Sequence, residues 1–295
     1  DISTWDTGNV ASMSGMFIEA TAFDRPVGDW DTSSVTTMSY MFKDADSFNK
    51  PIDDWDVSGV EDMSYMFSYA VNFNQSLNNW NTSSVTNMNN MFMFASNFNG
   101  EIGNWDTSKV TTFYHMFSHA TRFNQPIGDW NTSNVTSLGG MFNYAEAFNQ
   151  DIGNWDTSNV IRMRYTFYYA KSFNQNLGSW DVSSVIDATD MFYFVPLSTP
   201  NYDALLIGWN VQDLQYNVDL DVSSNYCSAE AETARTNMIG NDSWDIDDYG
   251  KRCGPRFALY RPLGTGIGEY LGDEVGEVPV GDVVLTYVIR NLGNE

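Results

Sequence analysis

The chain has 295 residues, 14 Lys and Arg against 38 Asp and Glu, a formal net charge of −24, and 15% aromatic residues. A chain this acidic repels nucleic acid and anionic membrane surfaces, and a chain this aromatic is not a disordered acidic tail. No apolar run approaches the length of about eighteen residues that crosses a bilayer, and the opening Asp1 to Trp5 is not a signal peptide, so it reads as a mature terminus or a cut end.

Trp5, Trp30, Trp55, Trp80, Trp105, Trp130, Trp155 and Trp180 lie 25 residues apart, and only Trp209 and Trp244 fall outside the series. Self-similarity at this period marks a stacked repeat, a solenoid or array. Five residues after each Trp stands Val, from Val10 to Val185, and twelve after stands Phe, from Phe17 to Phe192. Positions eight and eleven are mostly Met, with Phe113, Leu138 and Ala188 as exceptions at the first and Thr166 at the second. Position fifteen is Ala up to Ala170, position eighteen is Phe up to Phe173, and position nineteen is Asn from Asn49 to Asn174.

Offsets 5, 8, 12 and 15 match the spacing of a helix with one apolar face. Thr32-Ser33 and Thr107-Ser108 supply N-cap chemistry before it. Each repeat is therefore expected to hold a helix of about three turns. The segment Phe123 to Trp130, broken by Pro126 and Gly128, is expected to be a short strand. The fold class is then an α/β solenoid of about eight strand-helix turns, stacking because no single repeat can bury its own apolar face. The Asn column is expected to be buried and to satisfy backbone groups. Asp or Asn after each Trp predicts an Asx turn into the helix.

The string from Asn131 to Gln150, repeated in register eight times, resembles the 25-residue repeat of BspA-like leucine-rich-repeat surface proteins of bacteria. The resemblance covers roughly residues 1–253, and the segment Tyr202 to Trp209 with Cys227 and Cys253 resembles the family's C-terminal cap. It implies a leucine-rich-repeat-like solenoid, export to the cell surface or extracellular space, adhesion to protein or glycan, and no catalytic residues. Domain bounds follow as 1–200 for the repeats, 201–255 for the cap and 256–295 for a linker and β-type tail. Pairing of Cys227 with Cys253 is the expectation for an exported chain with two cysteines.

In the tail, the strand-like run Val283, Leu285, Tyr287 and Ile289 resembles the opening of an immunoglobulin-like repeat, too short for a sandwich on its own. Either the chain was cut from a longer protein, as its start in mid-repeat also suggests, or this strand is donated to another molecule.

Chemical sites are few. His115 and His119 have the i, i+4 spacing of zinc ligands on a helix, but no third ligand accompanies them, so no zinc site is assigned. On the expected helix both would be exposed. Tyr40, Tyr65, His115 and Tyr165 stand ten after Trp, and Tyr69, Phe94, His119, Tyr144, Tyr169 and Phe194 stand fourteen after. Both sets fall on the outer helix face as an aromatic stripe, which either packs on neighbouring turns or forms an interface. Asp29, Asp31, Asp54 and Asp56 begin carboxylate columns diluted by Asn, where turn chemistry is the simpler role and calcium an alternative. No nucleophile elbow, P-loop or dinucleotide fingerprint occurs. The chain is expected to be a non-catalytic adhesion or binding protein at a surface, or a filament subunit binding copies of itself, with no nucleic acid and no membrane insertion.

Overall fold

Backbone amides in each repeat alternate between two kinds of partner. In the second repeat Met38, Tyr40, Phe42 and Asp44 donate to the carbonyls of Asp62, Ser64, Met66 and Ser68 in the third, at 2.8–3.0 Å. Met41, Lys43 and Ala45 between them donate three residues back, to Met38, Tyr40 and Phe42, at 3.1–3.2 Å. A three-residue return is a β-turn, and every second amide ties that turn to the next repeat. This computed structural model describes residues 2–253, and in it the pattern recurs from repeat to repeat.

The expected helix of each repeat is therefore absent: no residue of the described chain before Thr199 is helical. Its place is taken by successive turns whose third residue has positive φ. Tyr40 (59°), Tyr65 (57°), Asn90 (58°), His115 (51°), Tyr165 (57°) and Asp190 (54°) occupy one such column, with Gly15 and Gly140. Tyr69, Phe94, His119, Tyr144, Tyr169 and Phe194 occupy the other, after Glu19 and Asp44, at 55–60°. An α-helix admits no residue in the left-handed region, so the 3.6-residue spacing of the apolar positions is met here by turns.

The expected strand is displaced as well. Phe123 to Trp130 forms none. The parallel ladder instead runs seven residues after Trp, through Ser12, Thr37, Asp62 and Asn87, and again through Thr112, Ser137, Arg162 and Asp187. It continues into β1 (Ala188–Phe192), which pairs with β2 (Asp219–Val222), which pairs with β3 (Asp245–Asp248), all parallel. Two helices connect them, α1 (Thr199–Asn210) and α2 (Ala229–Asp242). Ser228 caps α2 by accepting from the Ala231 amide at 3.0 Å, and Pro200 sits in the first turn of α1, where a missing N–H costs nothing.

The core consists of columns. Val, Met, Phe and Ala at offsets 5, 8, 12 and 15 are wholly buried from the second repeat onward. Within a repeat the two Phe rings stack at about 4 Å, as in Phe42 on Phe48 (3.9 Å) and Phe117 on Phe123 (3.8 Å). Each indole also donates to the repeat before it: Trp55 to the Val27 carbonyl (3.0 Å), Trp105 to Leu77 (2.8 Å), Trp180 to Ile152 (3.0 Å). Trp209, outside the 25-residue series, makes the same bond to Leu177 (3.0 Å), so it occupies the Trp column from within α1. Trp5 differs: it is 52% exposed, with a neighbouring indole, Trp30, on one face only.

The Asn column is a ladder, but not a buried one. Asn74, Asn99, Asn124, Asn149 and Asn174 each donate the backbone amide to the side-chain oxygen of the preceding Asn at 2.8–3.0 Å. All lie at the surface or half-buried. Ser198, where Phe is missing, ends the ladder by donating to Asn174 Oδ1 (2.7 Å) and opens α1. The Thr column is buried; Thr32, Thr82, Thr107, Thr132 and Thr157 each donate to a carbonyl of the next repeat at 2.9–3.0 Å.

Residues Asp1–Arg252 make one compact unit, and Cys253 is the one described residue outside it. Cys227 and Cys253 are disulfide-bonded, as expected. Val283, Leu285, Tyr287 and Ile289 lie outside the described residues.

Candidate binding surface

The aromatic residues singled out by spacing do come together, though on turns. Consecutive ring centroids from Tyr69 to Phe94, His119, Tyr144, Tyr169 and Phe194 are 4.5, 4.0, 4.5, 4.7 and 4.5 Å apart. The first four pairs are within 9° of parallel. This pitch is close to the rise of a parallel ladder, about 4.8 Å, so the backbone repeat sets the stacking distance. Holding a non-glycine residue in the left-handed region costs on the order of 1–3 kcal/mol. Stacking returns about 0.5–1.5 kcal/mol per ring pair, which offsets much of it.

The second column is interrupted. Tyr40 stacks on Tyr65 at 4.7 Å, and then Asn90 follows. His115 lies against Gly140: a Cβ on that glycine would stand 2.3 Å from the imidazole, and its φ of 64° independently favours glycine. Tyr165 meets Tyr168 edge-on at 5.4 Å and is covered by Arg164, whose guanidinium lies 4.5 Å from the ring centre and donates to the phenol oxygen at 2.8 Å.

His115 and His119 are half-buried, not exposed, and no helix presents them. Burial lowers both pKa values below that of a free imidazole, and the neighbouring His119 adds to the effect at His115. His119 is sandwiched between Phe94 and Tyr144, and His115 Nδ1 is buried without a hydrogen-bond partner. Among the described residues no group of three or more His, Cys, Asp or Glu is arranged to hold a metal ion.

The carboxylates beside Trp serve the turns. Asp31, Asp56, Asp106 and Asp156 each accept the amide two residues on, at 2.9–3.1 Å, the Asx turn read from sequence but with no helix after it. The Ser hydroxyl and amide hydrogen bonds lower the pKa of all four. The other close polar cluster is in the cap. There Tyr202 donates to Asp248 (2.6 Å), and Arg235 donates to Asp248 (2.8 Å) and to the Ile246 carbonyl (3.0 Å). Burial, then the Asp248 charge, raises the Tyr202 pKa well above that of a free phenol, and the cluster clamps α1 and α2 to β3.

Spacing missed the residues that widen the ladder into a surface. Tyr114 is 48% exposed and meets His115 edge-on at 4.3 Å. Tyr168 stacks on Tyr193 at 5.4 Å, and Tyr193 and Phe194 are 39% and 48% exposed. Arg162, Arg164 and Lys171 are exposed in the same repeat as Tyr165, Tyr168 and Tyr169. The available signal was a break in the template: no other repeat carries three cations between its seventh and seventeenth positions.

A family model described as "Mycoplasma protein of unknown function, DUF285" matches the chain twice, over residues 1–105 and 92–205. No curated protein and no solved structure matches it significantly. No described helix is long and apolar enough to cross a membrane.

Proposed function

The chain belongs to the DUF285 family, and from that premise we propose that it is a non-catalytic binding module of the BspA-like, leucine-rich-repeat-related kind. In this reading the stack is a solenoid, exported to a cell surface, where it adheres to a partner. The observation that carries it is the ladder Tyr69–Phe94–His119–Tyr144–Tyr169–Phe194, bordered by the exposed Tyr114 and Tyr193. Such a row of partly exposed aromatic edges is the composition of a contact surface, where Tyr and Arg are enriched.

Its geometry favours a protein over a glycan. A sugar stacks on the face of an aromatic ring, and inside the ladder every face is covered by the next ring at 4.0–4.7 Å. What remains for a partner is ring edges and phenol hydroxyls, which suit peptide groups and side chains.

The test is binding of the full chain to protein and glycan arrays, with the variant Tyr114→Ser/Tyr193→Ser/Phe194→Ser in parallel. Loss of protein binding at an unchanged unfolding midpoint supports the proposal. Loss of stability with binding retained by the folded fraction would mean the rings only pack. A screen for polysaccharide cleavage tests the non-catalytic part, and turnover there would sink it.

A further inference from the structure

Charge is segregated around the repeats. In residues 1–195 the segments from seven to seventeen after each Trp hold five bases and seven acids, while everything outside them holds three bases and fifteen acids. Four consecutive segments, 87–97, 112–122, 137–147 and 162–172, contain four bases and a single acid, Glu146. The aromatic side of these repeats is thus net positive on a chain of charge −24.

The cations concentrate in the seventh repeat. Arg162, Arg164 and Lys171 are exposed, with Arg164 held over Tyr165 and donating to its hydroxyl. Lys171 pairs with Glu146 at 2.7 Å, but both are exposed, and such a pair is worth little. Asp187 and Asp190 of the next repeat are the carboxylates facing Arg164. Exposed arginine beside half-buried tyrosine is a pairing enriched among the residues that carry interface energy. The complementary surface is on the same molecule: Asp29 and Asp54, both exposed, stand in register on adjacent repeats beside Trp30 and Trp55. The ring centres of Trp30 and Trp55 beside them are 6.4 Å apart, and Asp31 and Asp56 flank them.

We propose that the Arg162–Arg164–Tyr165 patch of one chain docks on the Asp29–Asp54 edge of a second copy. The two surfaces differ, so the contact is heterologous: each chain keeps a free patch and a free edge, and association propagates instead of closing at a dimer. The net repulsion of two acidic chains does not forbid this. At an ionic strength of about 0.15 M charges beyond about 8 Å are screened, whereas those in contact are not. No foreign ligand is involved, so the proposal stands apart from the binding function above.

Sedimentation of the full chain at about 0.15 M salt, up to about 0.1 mM protein, tests it across the range where a weak contact is populated. Species larger than the monomer are expected to grow with concentration. Arg162→Glu/Arg164→Glu and, separately, Asp29→Lys/Asp54→Lys are each expected to weaken association about tenfold or more. Unchanged unfolding midpoints establish that both variants fold, and an equimolar mixture of the two is expected to associate again, since each then offers what the other lacks. A monomer at every concentration overturns the proposal. So does association indifferent to the arginines, a mixture that stays monomeric, or a chain that binds soluble polyglutamate through the patch while remaining monomeric.

Discussion

Trp105→Phe isolates what the indole column contributes. Trp105 donates to the Leu77 carbonyl at 2.8 Å and stacks between Trp80 and Trp130, each 6.1 Å away. Phenylalanine keeps an aromatic ring there but removes the N–H. The Leu77 carbonyl retains the Trp80 amide as donor at 3.2 Å, so no orphaned acceptor is created, and the loss is that of one buried bond, about 1 kcal/mol. The smaller ring leaves unfilled volume, worth about another 1–2 kcal/mol. The expected cost is about 2–3 kcal/mol. Trp5→Phe is the control: Trp5 is 52% exposed and makes no such bond among the described residues, so it should cost under about 0.5 kcal/mol. Urea unfolding followed by far-UV circular dichroism reads both, with the slope of each transition checked because stacked repeats can fray from their ends. Equal costs within about 0.5 kcal/mol would refute an indole ladder that ties repeat to repeat.

The Asn ladder predicts that Asn99→Ala, which removes the acceptor of the Asn124 amide (2.9 Å), costs about 0.5–1.5 kcal/mol in the same urea assay. Asn99→Asp should cost less at neutral pH, because Asp24 already fills this role for the Asn49 amide in the first repeat. His115 and His119 have lowered pKa values because burial penalises their charge, so the unfolded chain takes up those protons first as pH falls. Their contribution to stability is whole above about pH 6.5 and declines as pH drops through that value toward the folded pKa. Melting temperatures at pH 7.5 and 5.5 should differ more for the wild type than for His119→Phe, which continues the ring ladder without a titrating group; equal differences would show His119 does not contribute. Replacing Cys227 and Cys253 by Ser opens a loop of about 27 residues, for which chain entropy gives a loss of about 3.5 kcal/mol, measurable as a lowered urea midpoint under non-reducing conditions.

The core was readable because stacking forces one residue type into each column: Val35, Met38, Phe42 and Ala45 were assigned inward and are buried. The backbone carrying them was not, because offsets of 5, 8, 12 and 15 fit a helix as well as they fit a chain of turns. One signal could have separated the two. Gly15, Asn90, Gly140 and Asp190 share a column with Tyr40 and Tyr65, and glycine, asparagine and aspartate together mark a left-handed turn position. Spacing placed the aromatic residues in columns and left open whether they pack on neighbouring turns or form an interface; the ring-on-ring stacking at 4.0–4.7 Å follows from turns that bring successive repeats to ladder spacing, closer than packed helices allow. Arg162 and Arg164 are invisible to a reading by column because they depart from the template, and in a repeat protein departures are where individual repeats acquire separate roles.

Alternating amides have a consequence for how such a chain can change. Most repeats offer upward the donors and acceptors they receive from below: Met63 donates to Asn87 as Phe113, two repeats on, donates to Ser137. Excising one 25-residue unit, for example 81–105, would therefore rejoin two surfaces already built to meet, with every column continuous across the joint. Length becomes a quantity adjustable in whole steps: a repeat can be removed or added without redesign, and the separation of two positions along the ladder set like marks on a ruler, about 4.8 Å at a time.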